Sequence, residues 1–263
     1  MDSDIRRGAV FAVAAFAFWG FTPLYYKLLV DVAPIDILAH RILWTVIFGV
    51  LVIWIKRDWQ RVVAVLRSCK TMLVLLISSL LISVNWLVYI YAVTSERLLD
   101  ASLGYYINPI VNVLLGVTIL RERMSAARVI AVGLAALGTV NLAVGLGSFP
   151  WIAMTLGFSF GLYGHLRKTA SVGAVVGLTV ETTLLMIPAA GYLFWARRTG
   201  GLYLGTGDVS TDLLLILAGA MTATPLLCFT SAARLLPLST LGFLQYLAPS
   251  GQFLLAVFAY GEA

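Results

Sequence analysis

The run Val180-Glu181-Thr182-Thr183 sets a carboxylate inside a long apolar stretch that continues to Pro188. An ionisable group in hydrocarbon costs at least about 2.5 kcal/mol, which makes it a functional hypothesis by default. Glu181 can carry a proton or meet a cationic group; equally, it can serve a structural ion pair or a hydrogen bond to a neighbouring helix. Arg41 is a second such residue, beside His40 and with Asp36 one turn earlier. Its planar fork suits a carboxylate, so it can pair with Glu181, hold an anionic group of a solute, or extend outward to the interface. His40 can exchange a proton near neutral pH or simply be a hydrogen-bonded packing residue.

Uncharged polar groups accompany them inside apolar runs: Asn85-Trp86, Tyr105, Asn108, Asn112 and Gln245-Tyr246. Such amides and aromatics line a polar path, or they hold helices together at about 0.6 kcal/mol per pair. Pro109 and Pro249 lie inside apolar runs as well. A proline removes a backbone donor and crowds the preceding turn, freeing carbonyls that must be satisfied within the protein. The two prolines therefore mark either a lined site or kinks made for packing.

Covalent and metal chemistry finds no support. The two histidines, His40 and His165, are far apart, and the two cysteines, Cys69 and Cys228, stand in no CxxC or Cys/His cluster. No HExxH, GxSxG or Walker sequence occurs, and no two carboxylates pair inside an apolar run. The expectation is no metal, no cofactor and no enzyme activity.

Lipid must be the solvent that positions these residues. Of the 263 residues 61% are hydrophobic and 11% charged, and the mean hydropathy is +0.97; a soluble domain is about a quarter charged. The formal charge of +6 is scattered between apolar stretches, without the continuous basic patch a nucleic-acid partner needs. Arg6-Arg7 before Gly8–Phe18 resembles a signal peptide, but Trp19-Gly20-Phe21-Thr22-Pro23 follows instead of a cleavage site, so the first helix is expected to stay.

A stretch of about 20 apolar residues crosses a bilayer. Nine are predicted, at Gly8–Leu28, Ile35–Ile55, Met72–Thr94, Ser102–Leu120, Ala127–Val144, Trp151–Leu166, Val172–Trp195, Leu213–Ala233 and Leu238–Tyr260. The fold class is thus an all-α polytopic transmembrane bundle forming a single membrane domain. Lys56–Lys70 reads as an amphipathic turn or two in the headgroup plane, or as a solvated basic loop. Trp59, Trp151 and Trp195, near stretch ends, read as interfacial anchors. With the N-terminus inside, the cytoplasmic side receives Arg6, Arg7, Lys56, Arg57, Arg61, Arg67, Lys70, Arg121, Arg123, Arg128, Arg167, Lys168 and Arg234. The other side receives only Lys27, Arg41, Arg97, Arg197 and Arg198. The positive-inside rule then puts the N-terminus in the cytoplasm.

The chain also repeats itself. Trp19-Gly20 recurs as Phe160-Gly161, Lys27 as Lys168, Arg97-Leu98-Leu99 as Arg234-Leu235-Leu236, Ser102-Leu103-Gly104 as Ser239-Thr240-Leu241-Gly242, and Pro109…Glu122 as Pro249…Glu262. This divides the chain into repeat one (1–146) and repeat two (150–263). A five-helix unit has odd parity, so the second copy enters from the opposite face. Such inverted repeats are typical of secondary transporters with a midplane site between the halves.

The runs His40-Arg41, Asn85-Trp86-Leu87, Ala101–Pro109, Pro225–Thr230 and Ser239–Tyr246 resemble the EamA branch of the drug/metabolite transporter superfamily, over essentially the whole chain. The resemblance implies a ten-helix, five-plus-five permease of the bacterial inner membrane. Its expected partners are the lipid bilayer, an unidentified small-molecule substrate and a proton as candidate coupling ion. The family pattern continues past Tyr260-Gly261-Glu262 into a tenth helix, whereas this sequence closes at Ala263. Nine helices are therefore expected, without a counterpart of Ala127–Val144 in the second half. A non-transporting scaffold or sensor, and a membrane-embedded enzyme, are the competing functions.

Overall fold

The computed structural model describes residues 2–119, 126–145, 149–201, 203–205 and 208–261. Regular structure among them is helical throughout: α1 (Asp2–Lys27), α2 (Pro34–Lys56), α3 (Trp59–Leu66), α4 (Cys69–Thr94), α5 (Leu98–Thr118), α6 (Ala126–Gly145), α7 (Trp151–Thr169), α8 (Ala174–Thr199), α9 (Val209–Leu235), α10 (Leu238–Gln245) and α11 (Leu247–Leu254), the last continued by a π-helical turn over Leu255–Ala259. Glu122, the partner of Glu262 in the repeat, and Glu262 itself lie outside the described residues.

Among the described residues, seven helical segments are long and apolar enough to cross a membrane, the last running over Thr240–Ala259. Two of the nine predicted stretches, those of α6 and α7, are not among the seven. For α7 the reason is its place inside the bundle. It packs against α4, α5 and α9, so it carries polar groups such as Ser159 and Arg167 that meet protein rather than lipid. The reverse holds on the periphery: Ile47, Leu51 and Trp54 on α2 and Leu73, Leu76 and Leu80 on α4 are exposed. A contiguous apolar exterior of this kind marks a membrane surface.

Of the two readings of Lys56–Lys70, amphipathic turns rather than a loop are found, over α3, whose Val65 packs on Leu75, Val172, Val176 and Val180, while Trp59, Val63 and Leu66 stay exposed. The last predicted stretch is found as one span over Thr240–Ala259, with the α-helical bonding interrupted at Tyr246, between α10 and α11. Proline at 249 has no N–H to bond the carbonyl four residues back, at Gln245, and its ring crowds that carbonyl, while Tyr246 keeps right-handed helical backbone angles.

The two halves interlock. Helix α5 lies along α7, α2 along α8 and α9, and α1 along α9 and α11. Small residues allow this closeness: a Cβ on Gly104 would stand 2.9 Å from the Ala153 carbonyl oxygen. At the mouth of α9, Asp208 caps the helix by accepting from the backbone N–H groups of Ser210 and Thr211. The Thr211 hydroxyl, ahead of those N–H groups, holds the Asp208 carboxyl below its ordinary range.

Candidate functional site

A narrow cavity lies where the halves meet. Its walls come from α1 (Phe16, Trp19, Thr22, Tyr26), α2 (Arg41), α4 (Asn85, Trp86, Tyr89) and α5 (Tyr105), and from α7 (Phe160), α9 (Met221), α10 (Gln245) and α11 (Ala248, Gln252). The space is about 40 Å³. One water needs about 10–15 Å³ on this scale, so the cavity has room for a few waters.

Arg41 is its one cationic wall residue, and it is 5% exposed. Its Nε donates to Thr222 Oγ1 at 2.9 Å, and its guanidinium carbon sits 4.2 Å from the Trp86 ring centre and 5.8 Å from that of Tyr26. The outward, interface-seeking placement is thereby overturned, because the side chain turns into the bundle and stacks on Trp86. No carboxylate pairs with it among the described residues.

The surrounding polar groups are fixed by hydrogen bonds to backbone and to one another. Asn85 Nδ2 donates to the Leu156 carbonyl and to Ser159 Oγ, each at 3.0 Å, and its Oδ1 accepts from Tyr105 Oη at 3.3 Å. Gln252 Nε2 donates to the Trp19 carbonyl at 3.1 Å and to Tyr89 Oη at 3.3 Å. A carbonyl can only accept, so the amide orientation is determined. That leaves Gln252 Oε1 buried with no donor. Gln245 Oε1 accepts from Asn112 Nδ2 at 3.0 Å, and Asn112 also donates to Asn108 Oδ1. Asn108 in turn donates to the Gly157 carbonyl at 2.9 Å. Asn108 and Asn112 thus tie α5 to α7 and α10 behind the cavity wall and do not line it.

Glu181 is elsewhere. It is 1% exposed, and its Oε1 lies 3.7 Å from Arg167 Nε. The same oxygen accepts from Ser78 Oγ at 2.5 Å, and Oε2 accepts from Tyr163 Oη at 3.5 Å. The expected meeting of Glu181 with Arg41 in one cavity is corrected on this point. Arg41 is the eighth residue of α2 and Glu181 the eighth residue of α8, but α8 begins beside the end of α2, Ala174 and Lys56 lining one cleft, so the two counts start from opposite ends of the bundle. His40 is buried on α2 with Nε2 unpartnered and lies outside the cavity lining. Tyr246 sits in the break between α10 and α11, its ring 5.9 Å from that of Tyr106. Pro249 is buried and its carbonyl accepts from Ser102 Oγ at 3.1 Å. The side chain of Pro109 lies outside the described residues.

A second, wider space of about 580 Å³ opens at the end of the bundle where α1 begins, lined by Arg7, Phe11, Lys56, Leu227 and Arg234 among others. A cluster of rings packs against the wall of the narrow cavity. Phe229 is fully buried, 5.0 Å from Phe160 and 5.6 Å from Trp19 between ring centres, and Trp19 and Phe160 meet edge to face at 5.4 Å.

Residues 6–144 match the EamA-like transporter family. The chain belongs to that family. This EamA-like chain is 44% identical to an uncharacterized transporter of Vibrio cholerae, over all of this chain and 87% of the relative. It is equally similar, at 44%, to the uncharacterized transporter YojE of Bacillus subtilis, over 99% of this chain and 88% of the relative. The same identity holds to protein RarD of Escherichia coli, over 100% and 89%. Taken with the apolar helices, these likenesses make the EamA-like chain a multi-pass membrane transporter of the drug/metabolite type, and transporter names among its relatives point away from catalysis.

Several residues of the EamA-like site carry no sequence signal of the kind used above. Arg167 reads as a loop charge on the basic side, yet it is 3% exposed and is the partner of Glu181. Its signal was the i, i+4 spacing from Tyr163, which puts both on one helix face. Gln252 follows Gln245 by two helical turns, which would have placed it on the same wall. Trp19, Tyr26 and Tyr89 are indistinguishable by type from ordinary core aromatics.

Proposed function

We propose that this chain is a secondary transporter of small organic solutes that works by alternating access, with the narrow cavity as its solute site. The observation that carries the reading is that the cavity takes walls from both halves of the chain and contains a buried arginine without a carboxylate partner. A site so placed changes exposure when one half rocks against the other. The wide cleft beside Arg7, Lys56 and Arg234 is then the cytoplasmic vestibule, and the ring stack of Trp19, Phe160 and Phe229 is the barrier between vestibule and site. Glu181 and its neighbours are the candidate proton-carrying group. Flux of a metabolite panel across proteoliposomes, with and without an imposed proton gradient, tests this. Protein-dependent flux of at least one solute is the expected result; its absence for every panel member would end the reading.

The two halves, 1–146 and 150–263, act in this proposal as inverted repeats in a bacterial inner membrane with the N-terminus in the cytoplasm. Removing Arg41 and Arg167 from the charge count, since both are buried, leaves the excess of basic residues on the N-terminal side. Reporter fusions after Arg67 and Arg123 should score cytoplasmic, and a fusion after Gly201 external. A cytoplasmic score at Gly201 would give the halves the wrong parity.

A further inference from the structure

The narrow cavity carries more information than its position. It presents one full positive charge, Arg41, and no acidic side chain among its lining residues. A buried guanidinium has five donors, and Arg41 uses Nε on Thr222 while its flat face rests on Trp86. A charge in such a place is costly unless something pairs with it. Within the described residues nothing does. The rest of the wall is largely aromatic: Trp19, Tyr26, Trp86, Tyr89, Tyr105 and Phe160. Beside Trp19 and Tyr89, to which its Nε2 donates, Gln252 Oε1 is an acceptor without a donor.

We propose that the solute is an organic monocarboxylate with a flat apolar body. The deduction rests on the transport reading above and names the substrate class for the same cavity. The carboxylate takes the free N–H groups of the Arg41 fork, which match it in a two-pronged arrangement. The flat body lies among the rings, whose preferred contacts with another ring are edge-to-face or offset. A hydroxyl or N–H on that body satisfies Gln252 Oε1. Each alternative class leaves something unmatched. A cation finds no carboxylate and meets Arg41 in repulsion, and a neutral amide leaves the guanidinium unpaired. A phosphate monoester brings nearly two charges to a wall with a single cation. The cavity as it stands admits only a few waters, so the solute enters by parting the rings rather than by filling a preformed void.

Benzoate, benzamide and benzylamine share one body and differ in charge, which makes them the probes. The full chain, purified in detergent, is heated with each at equal concentration, and exchange of each across proteoliposomes is followed in parallel. Benzoate should raise Tm and be exchanged; the amide and the amine should do neither. Arg41→Gln should weaken the benzoate effect by at least about tenfold, since a hydrogen bond to a charged group contributes about 1.5–3 kcal/mol. Arg41→Lys, which keeps the charge and loses the fork, should fall between. Should Arg41→Gln fail to fold, the three-way comparison on the unaltered protein still decides. Benzamide or benzylamine acting as well as benzoate overturns the anion class while leaving the protein a transporter. An undiminished benzoate effect in folded Arg41→Gln also overturns it. A null for all three removes this substrate class, and the flux panel then judges the transport reading separately.

Discussion

Arg167→Met alone should destabilise the protein by about 3–5 kcal/mol, and adding Glu181→Gln should restore most of that loss. The two groups are 3% and 1% exposed, deep enough that neither is solvated without the other. Removing one member of a buried pair leaves an uncompensated charge and carries a penalty of about that size, whereas replacing both is often close to neutral. Their geometry sharpens the expectation. The approach is 3.7 Å from Arg167 Nε to Glu181 Oε1, yet Arg167 Nε and Nη1 have no hydrogen-bond partner. The contact is therefore mostly one of charge, and little directional bonding is lost when both charges go. Glu181→Gln keeps an oxygen to accept from Ser78 but strands Arg167, so on its own it should be less stable than the double variant. Thermal unfolding in detergent reads all three. Equal stability of Arg167→Met and the unaltered chain would mean that the carboxyl is already neutral and the pair does not exist. The double variant, being folded, is also the clean background for asking whether transport retains its response to a proton gradient.

The apolar stretches made the helices legible because a bilayer leaves the backbone no other choice. Arg41, Asn85, Trp86, Tyr105 and Gln245 were readable as inward-facing for the same reason: a polar side chain in a lipid-solvated helix turns to protein. What stayed illegible was rotation about each helix axis. Depth along the membrane follows from residue counts, but whether Glu181 faces α2 or α7 does not, and it faces α7. Arg167 escaped because a basic residue in the last turn of a helix is what any interfacial end looks like. The interruption at Tyr246, between α10 and α11, was hidden in an otherwise helical and mostly apolar run, so only the proline hinted at it.

One regularity joins the two charged sites. Arg41 and Glu181 are each the eighth residue of their helices, 140 residues apart. Their neighbours Tyr26 and Arg167, which contact them from α1 and α7, are 141 apart, the displacement that also relates Trp19 to Phe160. Arg41 reaches across to Thr222 on α9, and Glu181 reaches across to Ser78 on α4. Under the proposed inverted repeat these are one position used twice, with a cation toward one face and a neutralised anion toward the other. When the halves exchange conformations, each site takes on the other's surroundings, so closing around Arg41 and opening around Glu181 become a single motion. The equivalence supports that proposal, under which solute charge and proton carriage would sit in separate places yet be linked through one motion.

Gly219→Ala should destabilise the chain by about 3 kcal/mol, the upper end for forcing a methyl group into a packed core, and abolish the benzoate effect. A Cβ at Gly219 would stand 2.5 Å from the Trp44 carbonyl carbon, 2.6 Å from Trp44 Cβ and 2.8 Å from the Thr45 nitrogen. Those are mostly backbone atoms of α2, which cannot swing aside as a long side chain would, so α2 and α9 must separate. Their present closeness is fixed by Thr45 Oγ1, which donates to the Arg41 carbonyl at 2.6 Å and reaches the Gly219 carbonyl at 3.4 Å. One turn further along α9 is Thr222, the partner of Arg41 Nε. Parting the helices at Gly219 therefore pulls that threonine from the guanidinium and lets Arg41 leave Trp86. Gly191→Ala is the matched control, because an added Cβ there meets nothing within 4 Å and alanine favours the helix by about 0.5–1 kcal/mol. The two substitutions have the same chemistry and opposite expected signs. If Gly219→Ala unfolds at the same temperature as Gly191→Ala, α2 and α9 are not held at backbone contact. The cavity wall they share would then be far more compliant than a narrow site requires.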